Sequence, residues 1–106
     1  MPRYLLRGRY TPRGLQGAVE EGFVSREAYI RQIAEVTNST IEAVYWLFGD
    51  EHFLIFTEVP NEAVAVARTL ATNLTGATEV TMTPVFSSEE MDAAVALMPQ
   101  YQAPAA

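Results

Sequence analysis

The stretch Tyr45-Trp46-Leu47-Phe48-Gly49-Asp50-Glu51-His52-Phe53-Leu54-Ile55-Phe56 decides the fold. Two apolar, aromatic-rich runs meet there at a Gly-Asp-Glu turn, the pattern of a β-hairpin. The only tryptophan and the only histidine of the chain flank that turn.

Upstream, Thr37, Asn38 and Ser39 break the chain before a strand expected over about 40–48. The return strand runs from about His52 to Val59 and stops at Pro60. Residues 3–11 read as a first strand, and Thr11 before Pro12 suits an N-cap followed by proline at the first helical position. A helical segment then spans roughly 12–36, broken near Gly22, with Ser25 recapping its second half. There Ala28, Tyr29, Ile33 and Val36 share a stripe that is expected to lie on a sheet.

Asn61 suits the cap of a helix through about Leu74, with Ala63, Val64, Ala67, Leu70, Ala71 and Leu74 as its buried stripe and Gly76 at its end. A threonine-rich strand follows over about 78–86, and Ser87 with Glu90 forms a capping box for a short helix ending before Pro99. The order β, α, β, β, α, β plus a C-terminal helix is the split βαβ signature of an α+β, ferredoxin-like fold. It places two helices on one face of an antiparallel sheet, with the first strand beside the third and fourth. A single domain over 1–98 and a flexible tail over 99–106 are expected.

With 49% hydrophobic and 19% charged residues the composition is globular. No apolar run approaches the roughly 20 residues that span a bilayer. The first residues enter strand-like sequence directly and lack the apolar segment of a secretory signal, so a cytoplasmic location is the default expectation. The absence of cysteine removes disulfides, thiolate metal sites and a cysteine nucleophile.

A net charge of −6 argues against nucleic-acid binding, which needs clustered cations. The charge is uneven, however. Residues 1–31 carry six arginines against three glutamates, net +3, and the remainder one arginine against ten acids, net −9. An anion site near the N-terminus is therefore open.

Strand parity raises the question of what covers the sheet. The first strand alternates, with Tyr4, Leu6, Gly8 and Tyr10 on one face and Arg3, Leu5, Arg7 and Arg9 on the other. The hairpin is apolar on both: Val44, Trp46 and Phe48 oppose Ile41, Ala43, Tyr45 and Leu47, while Leu54 and Phe56 oppose Phe53 and Ile55. Helices cover one face only, so a homo-oligomer is expected, with Val44, Trp46, Phe48, Leu54 and Phe56 at its interface.

In these motifs the chain resembles the GYD domain family, small bacterial and archaeal proteins of the dimeric α+β barrel type. The resemblance covers about residues 2–98. It rests on the opening Met1-Pro2-Arg3-Tyr4, on Tyr10-Thr11, on Ala43-Val44-Tyr45-Trp46-Leu47-Phe48-Gly49, and on Glu58-Val59-Pro60-Asn61-Glu62. Thr75-Gly76, the strand Thr81 to Phe86, and Glu90-Met91 complete it. At the naming motif the chain has Gly49-Asp50-Glu51-His52 where the family shows Gly, a variable residue, Tyr and Asp, so only Gly49 carries over. The resemblance implies fold and assembly rather than an activity, because the family has no established one.

His52 is the sharpest catalytic candidate, as a general base beside a cavity, set against a plain turn-edge histidine paired with Asp50 or Glu51. A lone histidine with turn carboxylates has no metal-site spacing, and no metal or cofactor is expected. Arg3, Arg7 and Arg9 project from one sheet face with about 6.6–7 Å between alternate residues. Arg7 and Arg9 are candidates for holding a carboxylate or phosphate, against the simpler pairing of the row with Glu58 and Glu79. Trp46 is a candidate to stack on a ligand or to anchor a partner subunit, against an ordinary core role.

Three functional readings remain open on the sequence. One is an oligomeric module binding a small organic, anionic ligand between sheet faces. Another, which the resemblance to α+β barrel proteins implies, is a cofactor-free enzyme of the monooxygenase or isomerase kind, with His52 as base and Arg7 holding an anion. The last is an assembly protein whose open face exists only to associate.

Overall fold

Capping residues set most of the element boundaries in the computed structural model, which describes residues 1–105. The elements are β1 (Arg3–Tyr10), α1 (Pro12–Glu21), α2 (Phe23–Glu35), β2 (Thr40–Trp46), β3 (Phe53–Glu58), α3 (Glu62–Leu74), β4 (Thr78–Pro84) and α4 (Ser88–Ala96). The Thr11 side chain accepts from the Gly14 N–H at the start of α1, and Asn61 accepts from the Val64 N–H at the start of α3. Ser87 and Glu90 complete the expected capping box of α4.

The break between α1 and α2 falls at Gly22, whose φ of +95° suits only glycine. Gly22 closes α1 through its N–H to the Ala18 carbonyl and itself caps α2. Ser25 therefore lies inside the first turn of α2 rather than at its cap.

The four strands form one antiparallel sheet in the order β2-β3-β1-β4, as a ferredoxin-like topology requires. Helices α1, α2 and α3 all pack on one face, over a core that includes Leu6, Tyr10, Ile41, Phe53, Ile55 and Val80. Helix α2 rests on the edge strand β2 and α3 on the opposite edge strand β4. That separation overturns both expected helix stripes.

On α2 the residue buried against the sheet is Ala34, with Ile30 half-buried, while Ala28, Tyr29, Ile33 and Val36 are exposed. On α3 Ala65 is buried and Val64, Arg68, Thr69 and Thr72 are half-buried, while Ala63, Ala67, Leu70, Ala71 and Leu74 are exposed. With the helices seated at opposite edges, parts of both apolar stripes turn toward the space between them: Tyr29, Ile33, Ala67 and Ala71 line it.

Beyond β4 every residue from Phe86 to Ala105 is exposed, α4 included. The radius of gyration, 16.9 Å, exceeds the roughly 13 Å of a compact domain of this length because that arm projects from the body. The expected tail 99–106 has no helix or strand over 99–105, and Ala106 lies outside the described residues. Among the described residues no helix is long and apolar enough to cross a membrane.

Candidate functional site

The two faces of the sheet offer different chemistry, and β1 contributes to both. Its odd-numbered residues give the open face the expected arginine row. Arg3 donates from Nε to Glu42 at 2.7 Å and from Nη2 to Glu58 at 3.3 Å. Arg9 donates from Nε to Glu79 at 3.2 Å. Both Glu58 and Glu79 are the direct cross-strand partners of these arginines.

Arg7 is held by Glu51 instead, with Nε 2.8 and 3.0 Å from its two carboxylate oxygens and Nη2 closing a fork. This pairing holds the Glu51 carboxyl below the usual range and raises the Arg7 guanidinium. Each arginine of the row is thus matched by an acid. Arg7 and Arg9 border a shallow basin of about 590 Å³, together with those partners Glu51 and Glu79. At the centre of the face Leu5, Leu54 and Phe56 remain half-buried and Tyr45 is 59% exposed, with none of α1–α3 on that side.

Trp46 and Val44 are not on this face. A β-bulge between Ile41 and Ala43 inserts Glu42 as an extra residue, so Ile41 opposes Thr57 while Val44 opposes Ile55. The period-2 parity reverses across the bulge, and Ile41, Val44 and Trp46 all point into the helix-side core. The Trp46 ring meets Phe23 edge-on at 4.9 Å and Phe53 at 6.4 Å, which makes it the anchor of the start of α2. Phe48 stands fully exposed in the turn beyond β2. Of the residues expected at an interface, Leu54 and Phe56 lie on the open face, and the fold does not bring Trp46 together with Arg7 and Arg9.

His52 sits at the end of the sheet, where the inner strand β1 outruns β3. Its backbone N–H donates to the Gly8 carbonyl at 2.8 Å, and its Nδ1 accepts the Tyr10 N–H at 3.0 Å. Nδ1 is therefore the unprotonated nitrogen and Nε2 carries the ring proton in the neutral form. The ring also stacks on Tyr10, 6.2 Å between centroids. The imidazole completes the β1 ladder, and His52 lines neither the basin nor the cleft described next.

On the helix side a cleft of about 800 Å³ lies between α1–α2 and α3, floored by Leu6, Phe53 and Ile55 of the sheet. Its size falls in the range of small-molecule sites. The walls are chiefly apolar, but Arg13, Arg26 and Arg68 reach it. Arg26 is held by Glu21, 3.6 Å away, and lies 4.8 Å over the Tyr29 ring. Tyr10 stands beside it with its hydroxyl pushed up, chiefly by burial.

Arg68 projects from the sheet-facing side of α3. It donates from Nη1 to the Thr57 hydroxyl at 2.9 Å, and that hydroxyl donates in turn to the Thr40 carbonyl at 2.9 Å. No carboxylate partners Arg68 or Arg13 among the described residues, whereas the five other arginines each have one. Burial pulls the Arg68 guanidinium below its ordinary value, with no acid to offset it.

Neither Arg68 nor the cleft emerged from the sequence patterns, because an arginine within a helix reads as solvated surface. One signal pointed to it: Arg68 is the single cation in the strongly acidic stretch 32–106. Among the described residues no three histidine or acidic side chains gather as a metal ion would require. The family model described as the GYD domain matches residues 4–95. No curated protein and no solved structure matches the chain.

Proposed function

This chain belongs to the GYD domain family, and from that premise we propose that it works as a homo-oligomeric module binding a small organic ligand, its copies joined through the open faces of their sheets. The observation that carries the proposal is the apolar centre of the open face, Leu5, Leu54, Phe56 and Tyr45, with no layer over it. Apolar surface of that kind on one contiguous face favours burial against a partner. The matched arginine–glutamate pairs around it favour a second copy as that partner. Three arginines against four glutamates leave this row with little net charge, so two such faces meet with little repulsion.

Light scattering at micromolar concentration is expected to give a dimer or a larger assembly. Phe56→Glu places a carboxylate at the centre of the contact and should yield a folded monomer. A wild-type monomer that binds no hydrophobic dye overturns the oligomer. For the ligand, native mass spectrometry of the purified protein is expected to show a retained small molecule.

A further inference from the structure

We infer that the cleft between α1–α2 and α3 is a binding site for a small carboxylate with an apolar body, and that Arg68 receives its carboxylate. This inference rests on the ligand-binding half of the proposed function and not on the oligomer. Three features meet in the cleft. The first is charge: the two arginines without an acid partner among the described residues, Arg13 and Arg68, both line it. Among the described residues the one carboxylate on its wall, Glu21, is taken by Arg26.

The second feature is the state of Arg68. A guanidinium presents five N–H donors in a planar fork, and among the described residues the one hydrogen bond this side chain makes is to the Thr57 hydroxyl. Placing such a group half-buried among apolar side chains is costly unless an anion meets it. Thr57 has no solvent exposure and is itself tied to Thr40, so it fixes the guanidinium in position without neutralising it.

The third feature is shape. Parts of the apolar stripes of α2 and α3, which amphipathic helices normally bury on their own sheet, here face a common space of about 800 Å³. Tyr29, Ile33, Ala67 and Ala71 would meet the apolar body of a ligand whose charged end sits at Arg68. Arg13 lies by the C-terminal end of α3, where its Nη2 approaches the Thr75 carbonyl at 3.4 Å, and adds to the positive potential of the cleft. A single carboxylate matches one half-buried guanidinium. A phosphate dianion brings more charge than these apolar walls can desolvate.

The test is a calorimetric titration of the full chain with octanoate, 1-octanol and acetate, which separate the charge from the apolar body. Octanoate should bind, 1-octanol at least about tenfold more weakly, and acetate not measurably, since both ends of the ligand contribute. Arg68→Gln should weaken octanoate about ten- to a hundredfold and leave 1-octanol unchanged.

Ala71→Trp fills the cleft from an exposed position on α3 and should exclude octanoate and 1-octanol alike. It keeps the proposal testable if Arg68→Gln does not fold. Equal affinity for octanoate and 1-octanol overturns the inference, as does octanoate binding untouched by the substitutions. If Val95→Glu on the unpacked α4 opens the cleft to octanoate while Arg68→Gln has no effect, the occupant is the arm of a second copy, and the inference is again overturned. A retained cationic or uncharged molecule in the native mass spectrum would preserve ligand binding and overturn the carboxylate.

Discussion

The open face and the cleft lie on opposite sides of one sheet, and both carry arginine. On the open face Arg3, Arg7 and Arg9 stand in a row, yet each is matched by Glu42 and Glu58, Glu51 or Glu79. In the cleft Arg68 is alone in its stretch of sequence and, among the described residues, hydrogen-bonds only to a hydroxyl. The denser cluster of cations is thus the one with no charge to spare. Anion-binding capacity is a property of what the fold leaves unpaired, not of how many arginines a segment carries.

The largest effect that separates the two sides is expected at Gly14. A Cβ at this position would overlap the Ala77 carbonyl oxygen, where the first turn of α1 closes on the loop before β4. Thr11 ties the same junction through its N–H to the Ala77 carbonyl and its hydroxyl to the Gly76 carbonyl, both at 2.9 Å. Gly14→Ala should cost about 2–3 kcal/mol in denaturant unfolding, since backbone rather than a flexible side chain must move. It should also disturb octanoate binding, because Gly14 and Ala77 line the cleft, while leaving the oligomer intact.

A smaller and more diagnostic effect is expected from Thr57→Val. The shape is kept, but the Thr40 carbonyl loses its hydroxyl partner and Arg68 its anchor. A loss of about 1–2 kcal/mol should appear as a lower denaturation midpoint with an unchanged slope. Octanoate affinity should fall in the same variant. Arg9→Gln on the open face should move neither quantity measurably, as exposed pairs contribute little. Equal effects from the two substitutions would erase the contrast between the faces.

These residues also show which parts of the molecule could be read from the chain. The element order was legible because its signals are local. Thr11 and Pro12, Asn61, and Ser87 with Glu90 cap the helices they were expected to cap, and Gly22 breaks the first helical segment. Parity in β2 was not legible, because Glu42 enters as a bulge that no period-2 pattern marks, and Val44 and Trp46 change face as a result. The helix stripes misled for a different reason. Apolar periodicity shows that a face is to be buried but not against what, and here α2 and α3 turn part of theirs toward a shared cleft.

The smallest expected effect concerns pH and tests the open face directly. Arg7 depresses the Glu51 carboxyl in the folded state, so the folded value lies below the unfolded one, about 4.3. The pair's contribution is therefore complete above the unfolded value and lost as pH falls through the folded one. Denaturation midpoints of the wild type and Glu51→Gln should differ by a constant amount above about pH 5 and converge below it. Glu90 is also depressed, through its bonds with Ser87 at the cap of α4, but it is common to both proteins and cancels. Added salt should narrow the difference, because both partners are partly solvated. A difference that persists unchanged into acid would mean that Glu51 acts through packing alone, leaving Arg7 electrically free. The open face would then hold an available guanidinium after all. Arg68 has no comparable acid transition in its own protein contacts, since a threonine hydroxyl does not titrate in this range, so acid should separate the two sides of the sheet.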